Sequence, residues 1–203
     1  MSQWIVIALA YWFAQFGYSS TIMVLGDSLS AAYGLRLEEG WVAKLQRSHP
    51  QHTWINASVS GETTQGGLSR LPALLKQHRP DVIVIELGAN DGLRGQPLSH
   101  INNNLTQLIT VGKSAGANIL LLGTRLPPNY GPRYSQGLTD CYTQQANQHN
   151  VTVIPFFLEA IAQDIHHFQP DQLHPTAAAQ PIIADTIWPV LERVIHHSEG
   201  NTQ

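Results

Sequence analysis

Short apolar segments alternate with amphipathic segments along most of the chain. The apolar segments are rich in Val, Ile and Leu without strict polar alternation, which is typical of strands buried on both faces of a parallel sheet. We predict strands at residues 21–25, 53–57, 82–87, 118–122 and 151–156. The intervening and following segments predict helices at about 36–48, 65–78, 98–114, 135–149, 157–165 and 176–197. This alternation of strand and helix indicates a doubly wound α/β domain.

The composition is that of one globular domain. The chain has 203 residues, 43% of them hydrophobic, with no linker, repeat or change of composition inside the predicted domain. Its formal net charge is −3 and its few Lys and Arg are scattered, so we expect no nucleic-acid partner. The single cysteine, Cys141, excludes an internal disulfide and lies in no recognisable motif.

The first residues differ from the rest of the chain. Trp4 to Gly17 form an apolar run about as long as a signal-peptide core, and small residues at Gly17 and Ser19 suit a cleavage site. No Lys or Arg precedes Arg36, so an uncleaved anchor or an additional packed helix is the alternative. We interpret residues 1–19 as an export signal. This predicts a periplasmic or secreted domain over residues 20–203, with no stable membrane insertion after processing.

Glycines and polar residues follow the predicted strands. Ligands bind at the carboxyl ends of the strands in such sheets, so these positions predict a site. The residues in question are Gly26-Asp27-Ser28-Leu29 after the first strand, Gly61 after the second, Asn90 and Asp91 after the third, and Asp171 and His174 after the fifth.

Ser28 is the candidate nucleophile. Ser30-Ala31-Ala32 resembles a helix start, so Ser28 would stand at a strand-to-helix turn with its N–H at the positive end of the helix. A neutral serine needs a base, which His174 can provide while Asp171 orients the imidazole. The alternatives are a helix N-cap for Ser28, and loop residues before a Pro-initiated helix for Asp171 and His174.

An acyl-transfer site also needs donors for the oxyanion. The candidates are the backbone N–H groups of Ser28 and Gly61 and the side-chain amide of Asn90. Simple turn roles are the alternative for Gly61 and Asn90. We expect Asp27 to hold the turn by accepting backbone hydrogen bonds, and Asp91 to be structural.

These residues together resemble a known family. The segments Gly26-Asp27-Ser28-Leu29, Gly88-Ala89-Asn90-Asp91 and Asp171-Gln172-Leu173-His174-Pro175, with Gly61, are similar to the signature blocks of the SGNH, or GDSL, hydrolase superfamily. Its four signature residues map onto Ser28, Gly61, Asn90 and His174 in the family's order. "NASVSGETTQGGLSRLPALLKQH", "ELGANDGLRG" and "RLPPNYGPRY" look like the bacterial acyl-CoA thioesterase I, lysophospholipase and arylesterase group.

The resemblance implies a three-layer α/β/α fold with a central, parallel, five-stranded sheet of the flavodoxin-like kind. It also implies a cofactor-free esterase with a Ser28–His174–Asp171 triad, usually exported to the periplasm. Implied substrates are fatty acyl-CoA thioesters, lysophospholipids and aryl esters. We expect a monomer whose partner is this small-molecule substrate.

The chain departs from two patterns. The family commonly has glycine after the catalytic aspartate, where this chain has Gln172, so Gln172 is strained if the position needs a positive φ. The G-x-S-x-G elbow of ordinary α/β-hydrolases is also absent, because position 30 is serine.

Three other functions stay open from sequence. A carbohydrate O-acetylesterase of the same superfamily would lack the apolar acyl channel that a lipid esterase needs, and a catalytically silent lipid- or glycan-binding module would show no turnover. A metallohydrolase would use the cluster of His166, His167, Asp171 and His174, but this spacing matches no standard zinc signature. We therefore expect no metal site.

Overall fold

The computed structural model describes residues 19–199, with side chains described as far as His196. Its strands form one five-stranded sheet in the order β2-β1-β3-β4-β5, and every neighbouring pair is parallel. The strands are β1 (Thr21–Gly26), β2 (Thr53–Asn56), β3 (Val82–Glu86), β4 (Asn118–Leu122) and β5 (Thr152–Ile154). The helices are α1 (Trp41–Ser48), α2 (Thr64–His78), α3 (Ala89–Leu93), α4 (Leu98–Ser114), α5 (Pro132–His149) and α6 (Gln180–Glu199).

Helices cover both faces of the sheet. Along β1, Ile22 and Val24 belong to the apolar core shared with α1 and α6, whereas Met23 and Leu25 belong to the core shared with α2, α4 and α5. Successive side chains of a strand point to opposite faces, so a strand between two cores must be apolar throughout. This explains the unbroken apolar runs in the sequence. The predicted three-layer α/β/α fold is confirmed.

The strand order fixes where a site can form. The chain moves outward from β1 to β2, then returns across β1 to β3 and continues to β5, so the direction reverses between β1 and β3. Such a switch point leaves a crevice at the carboxyl ends of the two strands. Gly26 and Glu86, the last residues of β1 and β3, are register partners at this crevice.

The predicted helix at 157–165 is wrong. This segment is a series of turns, in which Glu159 N–H donates to the Phe156 carbonyl over 3.2 Å and Ile161 N–H to that of Leu158 over 3.0 Å. Phe157, Leu158 and Ile161 are all buried. The apolar spacing that predicted a helix is therefore satisfied by turns that fold the same side chains into the core.

The helix predicted to begin at Ser30 is also wrong. A single turn follows Ser28, closed by a 2.9 Å hydrogen bond from Ala31 N–H to the Asp27 carbonyl, and Ala32 at φ 58° stops its propagation. The predicted helix at 36–48 is divided by the extended residue Gly40 into a 3₁₀ turn (Leu37–Glu39) and α1. Gly40 permits close packing there, because a Cβ would lie 2.8 Å from that of Ala32.

The predicted export signal lies almost entirely outside the described residues, which begin at Ser19. Within residues 19–199, every helix is too short or too polar to cross a membrane.

Candidate active site

Ser28, His174 and Asp171 lie in one hydrogen-bonded series at the carboxyl edge of the sheet. Ser28 Oγ is 2.9 Å from His174 Nε2, and His174 Nδ1 is 2.7 Å from Asp171 Oδ2. An ionised carboxylate only accepts hydrogen bonds, so the proton of the neutral imidazole resides on Nδ1. Nε2 is then free to accept the serine hydroxyl, which is the arrangement that activates a serine for attack.

Asp171 is held in its ionised form by the loop that it begins. Its Oδ1 accepts the backbone N–H groups of Leu173 and His174, each over 3.0 Å. Desolvation opposes the charge, but these two N–H groups and the His174 ring outweigh it and lower the pKa of Asp171 to about 2. The carboxylate therefore stays charged throughout the neutral range.

Gln172 has the positive φ that the sequence analysis associated with strain at this position. Its φ is 58°, in the left-handed region that glycine adopts without a penalty. The tight turn is set by the Gln172 N–H, which donates to the Gln169 carbonyl over 2.8 Å. The loop thus keeps the shape that brings Asp171 to His174 despite the unfavourable residue.

Asp27 organises the turn that carries Ser28. Its Oδ1 accepts the Leu29 N–H over 2.9 Å, and its Oδ2 accepts the side-chain amide of Asn90 over 2.9 Å. Burial is the main reason that the pKa of Asp27 rises to about 6. The predicted hydrogen bond to a backbone N–H is present, and the link to Asn90 is an addition that the sequence did not indicate.

The three candidate oxyanion donors line one cavity with His174. Asn90 has two amide N–H donors, of which one is directed to Asp27, so the second is available to a ligand. Gly61 has a φ of 78°, and its carbonyl accepts a 3.0 Å hydrogen bond from Arg94 Nη2, which fixes the loop after β2. The structure therefore gathers Ser28, Gly61 and Asn90 at the same mouth.

Asp91 lies behind this mouth and holds α2. It is buried, and its two oxygens accept the Thr64 hydroxyl over 2.6 Å and the Thr64 N–H over 2.9 Å. A carboxylate at a helix N-terminus satisfies an otherwise unpaired N–H group and suits the helix dipole. This agrees with the structural role expected for Asp91.

Two residues that the sequence analysis did not single out support His174 and its loop. The Tyr33 ring lies against the His174 ring, with centroids 4.4 Å apart. The Gln169 side-chain amide donates to the carbonyls of Tyr33 (2.8 Å) and Pro175 (3.1 Å), and thereby ties the segment after Ser28 to the histidine loop. No sequence signal marks either residue, since both act through contacts between distant segments.

Glu86, the last residue of β3, is a third residue that the sequence analysis passed over. Its side chain is buried beneath the Ser28 turn, where Oε2 accepts the Asp27 N–H over 3.1 Å and the Ser30 hydroxyl over 2.8 Å. Burial, followed by the charge of Asp27, raises its pKa well above the ordinary value. A carboxyl group inside the apolar run "VIVIEL" is the signal that could have identified it.

A cavity of about 740 Å³ opens beside Ser28. This volume is in the range of small-molecule sites, about 300–1,000 Å³. Apolar side chains from the segments after β1, β4 and β5 contribute most of its wall, among them Leu29, Leu126, Phe156, Leu158, Ile165 and Phe168. The loop "RLPPNYG" also contributes to the wall through its first four residues.

The histidines near the site are not gathered into a metal-binding group. Among residues 19–199, no three His, Cys, Asp or Glu side chains are arranged so that they could hold a metal ion. His166 and His167 instead lie in a short 3₁₀ turn capped by the Asp164 side chain.

Comparisons with known proteins place the chain in a family. Residues 24–181 match the model of the GDSL-like lipase/acylhydrolase family. An arylesterase of Vibrio mimicus is 46% identical over 173 residues, covering 83% of this chain and 86% of the relative. The thioesterase 1/protease 1/lysophospholipase L1 of Escherichia coli K12 is 42% identical over 180 residues, covering 88% of this chain and 86% of the relative.

A solved structure is similar throughout the described domain. The psychrotrophic esterase EstA from Pseudoalteromonas, in a structure inhibited by monoethylphosphonate, superposes with a TM-score of 0.84 at 45% identity. The match covers 88% of this chain and all of the EstA chain (100%). From the family match and these identities over more than four fifths of its length, this chain belongs to the GDSL-like lipase/acylhydrolase family.

Proposed function

We propose that this carboxylic ester hydrolase of the GDSL family cleaves acyl esters and thioesters through a covalent acyl-enzyme on Ser28. The observation that carries the proposal is the series Ser28 Oγ–His174–Asp171, with contacts of 2.9 Å and 2.7 Å at the mouth of an apolar cavity. Each member has the chemistry that its neighbour needs: a nucleophile, a base and a carboxylate that orients the base.

Acylation begins with attack of Ser28 Oγ on the substrate carbonyl. His174 Nε2 takes the hydroxyl proton as the bond forms, and the ionised Asp171 stabilises the resulting imidazolium. The tetrahedral intermediate collapses when His174 returns the proton to the departing alkoxide or thiolate. A water molecule then repeats the sequence, with His174 as its base, and releases the carboxylic acid from Ser28.

The negative charge of both tetrahedral intermediates falls on the carbonyl oxygen. We assign its stabilisation to the N–H groups of Ser28 and Gly61 and the free amide N–H of Asn90. The loss of one such donor typically lowers the rate by about 10²–10³. The proposal is supported by the position of all three at the same cavity mouth.

The cavity and the relatives indicate the substrate class. An apolar wall favours a fatty acyl chain, because each buried methylene contributes about 0.8 kcal/mol to binding. The relatives carry the names arylesterase and thioesterase 1/protease 1/lysophospholipase L1. We therefore propose aryl esters, fatty acyl-CoA thioesters and lysophospholipids as substrates, with no cofactor.

The remaining parts of the proposal concern the whole chain. We propose that residues 1–19 direct export, and that residues 20–203 act as a monomeric periplasmic or secreted domain. The mature N-terminus, read by mass spectrometry from the exported protein, tests the first statement. Light scattering of the purified protein tests the second.

The experiment that tests the activity is hydrolysis of p-nitrophenyl esters from acetate to palmitate, by the native protein and by Ser28→Ala. We expect turnover of medium or long chains, loss of at least about 10³-fold in the variant, and no effect of a chelator. Ser135→Ala removes a hydroxyl that does not line the cavity and serves as the control.

Other outcomes point to other functions. Activity confined to acetate would favour an O-acetylesterase, and loss of activity with the chelator would favour a metallohydrolase. A folded protein without turnover of any ester would contradict the enzymatic proposal for these substrates and favour a binding module.

A further inference from the structure

The carboxyl group of Glu86 has no part in the mechanism above, although it lies directly beneath the nucleophile. It is about 1% exposed, and one oxygen, Oε2, accepts both the Asp27 N–H and the Ser30 hydroxyl. Burial, followed by the charge of the neighbouring Asp27 carboxyl, raises the pKa of Glu86 well above its ordinary value. These two hydrogen bonds fix the position of the Glu86 carboxyl relative to the Ser28 turn. A residue that only filled the core would not require them.

The Glu86 side chain also leaves no room for a Cβ at Gly26. A Cβ at this position would lie 2.8 Å from Glu86 Oε2 and 2.8 Å from Ser30 Oγ. No real Cβ packs so closely, so glycine at the end of β1 makes room for the Glu86 carboxyl. The glycine of the Gly-Asp-Ser turn is therefore explained by Glu86, which is the residue opposite it in the sheet.

The charge state of the pair follows from its surroundings. No Lys or Arg of the described chain forms an ion pair with either carboxyl. Two buried carboxyls in contact cannot both ionise readily, so the pair retains one proton at neutral pH. Each carboxyl accepts two hydrogen bonds, but only Asp27 also faces His174, which favours its charge, so the proton resides on Glu86.

Other titratable groups face the pair from neighbouring elements. His174, from the loop before α6, favours the charge of Asp27. Tyr142 of α5 is buried near both carboxyls, and its hydroxyl donates to the Leu87 carbonyl over 2.9 Å. Neither forms a hydrogen bond with Glu86 in the described structure, so the Asp27–Ser30 turn is its direct target.

We propose that Glu86 is a positioning residue for the oxyanion donors, acting in its neutral form. Its O–H group donates to Asp27, and Asp27 in turn orients the Asn90 amide and the Leu29 N–H next to Ser28. This proposal rests on the proposed function, because it concerns how accurately the donors meet the developing oxyanion. A displacement of about 1 Å at such donors is enough to lower the rate by about 10²-fold.

The test compares two replacements of Glu86, with kcat and KM measured on p-nitrophenyl butyrate. Glu86→Gln preserves the neutral pattern, since its oxygen accepts two hydrogen bonds and its amide donates to Asp27. We expect its kcat within about threefold of the native value. Glu86→Leu removes the hydrogen bonds with the Asp27 N–H and the Ser30 hydroxyl as well as the proposed one to the Asp27 carboxylate, and we expect kcat to fall about 10- to 100-fold with KM within about twofold.

The double variant Glu86→Leu/Asn90→Ala separates positioning from general destabilisation. When Glu86 acts through Asn90, removal of Asn90 leaves little for Glu86 to position, so kcat of the double variant stays within about threefold of Asn90→Ala. Fully multiplicative losses would overturn the proposal. Gln145→Leu is the matched control, because Gln145 is equally buried and hydrogen-bonded but its partners are Asn102 and Thr106 of α4 and not the Ser28 turn.

The pH profile tests the neutral form separately. If Glu86 is neutral in the native protein, as proposed, Glu86→Gln leaves the acid limb of the kcat profile in place. If Glu86 is charged, the replacement removes a negative charge near His174 and moves the acid limb to lower pH. A shift of more than about half a pH unit, or a loss as large as that of Glu86→Leu, would overturn the proposal. Should Glu86→Leu not fold, as judged by circular dichroism, Glu86→Met takes its place and the Gln profile still decides.

The outcome is distinguishable from failure of the proposed function. Native turnover that is abolished in Ser28→Ala establishes the serine mechanism independently of Glu86. If the native protein is active, Ser28→Ala is inactive and the Glu86 variants do not behave as expected, only the positioning role of Glu86 is contradicted.

Discussion

Replacement of Asp27 by asparagine should change how the stability of the domain depends on pH. Asp27 is about 1% exposed, and its burial raises the pKa from the ordinary 3.8 to about 6. A difference of this size corresponds to about 3 kcal/mol of folding free energy. Because the folded protein binds the proton more tightly than the unfolded chain, this contribution is present below about pH 4 and is lost as the pH rises through about 6.

The variant lacks this loss because asparagine does not ionise. Between pH 4 and pH 7 the native protein should lose about 2 kcal/mol that Asp27→Asn retains. Asparagine also has one acceptor oxygen fewer, so either the Leu29 N–H or the Asn90 amide loses its partner at a cost of about 1–3 kcal/mol at every pH. We therefore expect the variant to be less stable than the native protein at pH 4 and about equally stable at pH 7.

Urea unfolding followed by circular dichroism, at half-unit steps from pH 4 to pH 7, measures both curves. Asp140→Asn, on the exposed face of α5, controls for the change in net charge. Parallel curves for Asp27→Asn and the native protein would refute the reasoning, since they would mean that Asp27 carries no buried charge in this range. A crossing of the two curves near neutral pH is the expected result.

Two further substitutions test the histidine loop. Asp171→Asn keeps an acceptor for the backbone N–H groups but cannot hold the Nδ1 proton as a carboxylate does, so kcat should fall about 10³- to 10⁴-fold with little change in KM; a fall below tenfold in steady-state kinetics would contradict the assigned role. Gln172→Gly removes the strain of a left-handed non-glycine residue, which stabilises the folded state by about 1 kcal/mol. Glycine also increases the conformational entropy of the unfolded chain, which offsets about 0.5 kcal/mol of this gain. The urea midpoint should therefore rise slightly, and a lower midpoint would show that the Gln172 side chain stabilises the loop.

The sequence was sufficient for the fold because the signal is local and repeated. The inner strands β1, β3 and β4 are apolar runs whose bounds match the prediction to within one residue, whereas β5 is shorter than the predicted 151–156, and the helices carry one apolar face. The same logic failed at residues 157–165, where Phe157, Leu158 and Ile161 have helical spacing but the chain forms successive turns. Apolar spacing records which side chains are buried, and turns with i to i+3 hydrogen bonds bury the same positions as a helix.

The candidate site divides along similar lines. Ser28, Asn90 and His174 could be found from sequence because each belongs to a short motif after a strand or in a Pro-flanked loop. Glu86 could not, because its importance depends on contacts with Asp27 and Ser30, which are 59 and 56 positions away. Gln169 is a similar case, since its partner Tyr33 is 136 positions away.

The separation between Ser28 and His174 has a kinetic consequence. These residues are 146 positions apart, so the proposed nucleophile is encoded near the start of the domain and its proposed base near the end. On the proposed mechanism, a nascent or partly refolded chain that has assembled β1 to β4 contains the serine without its histidine, and we expect it not to hydrolyse an ester. In refolding experiments, the rate at which hydrolysis recovers therefore reports the docking of the loop that carries His174. The circular dichroism signal reports the formation of the sheet and helices. A lag between the two signals would measure the delay between formation of the secondary structure and docking of the His174 loop.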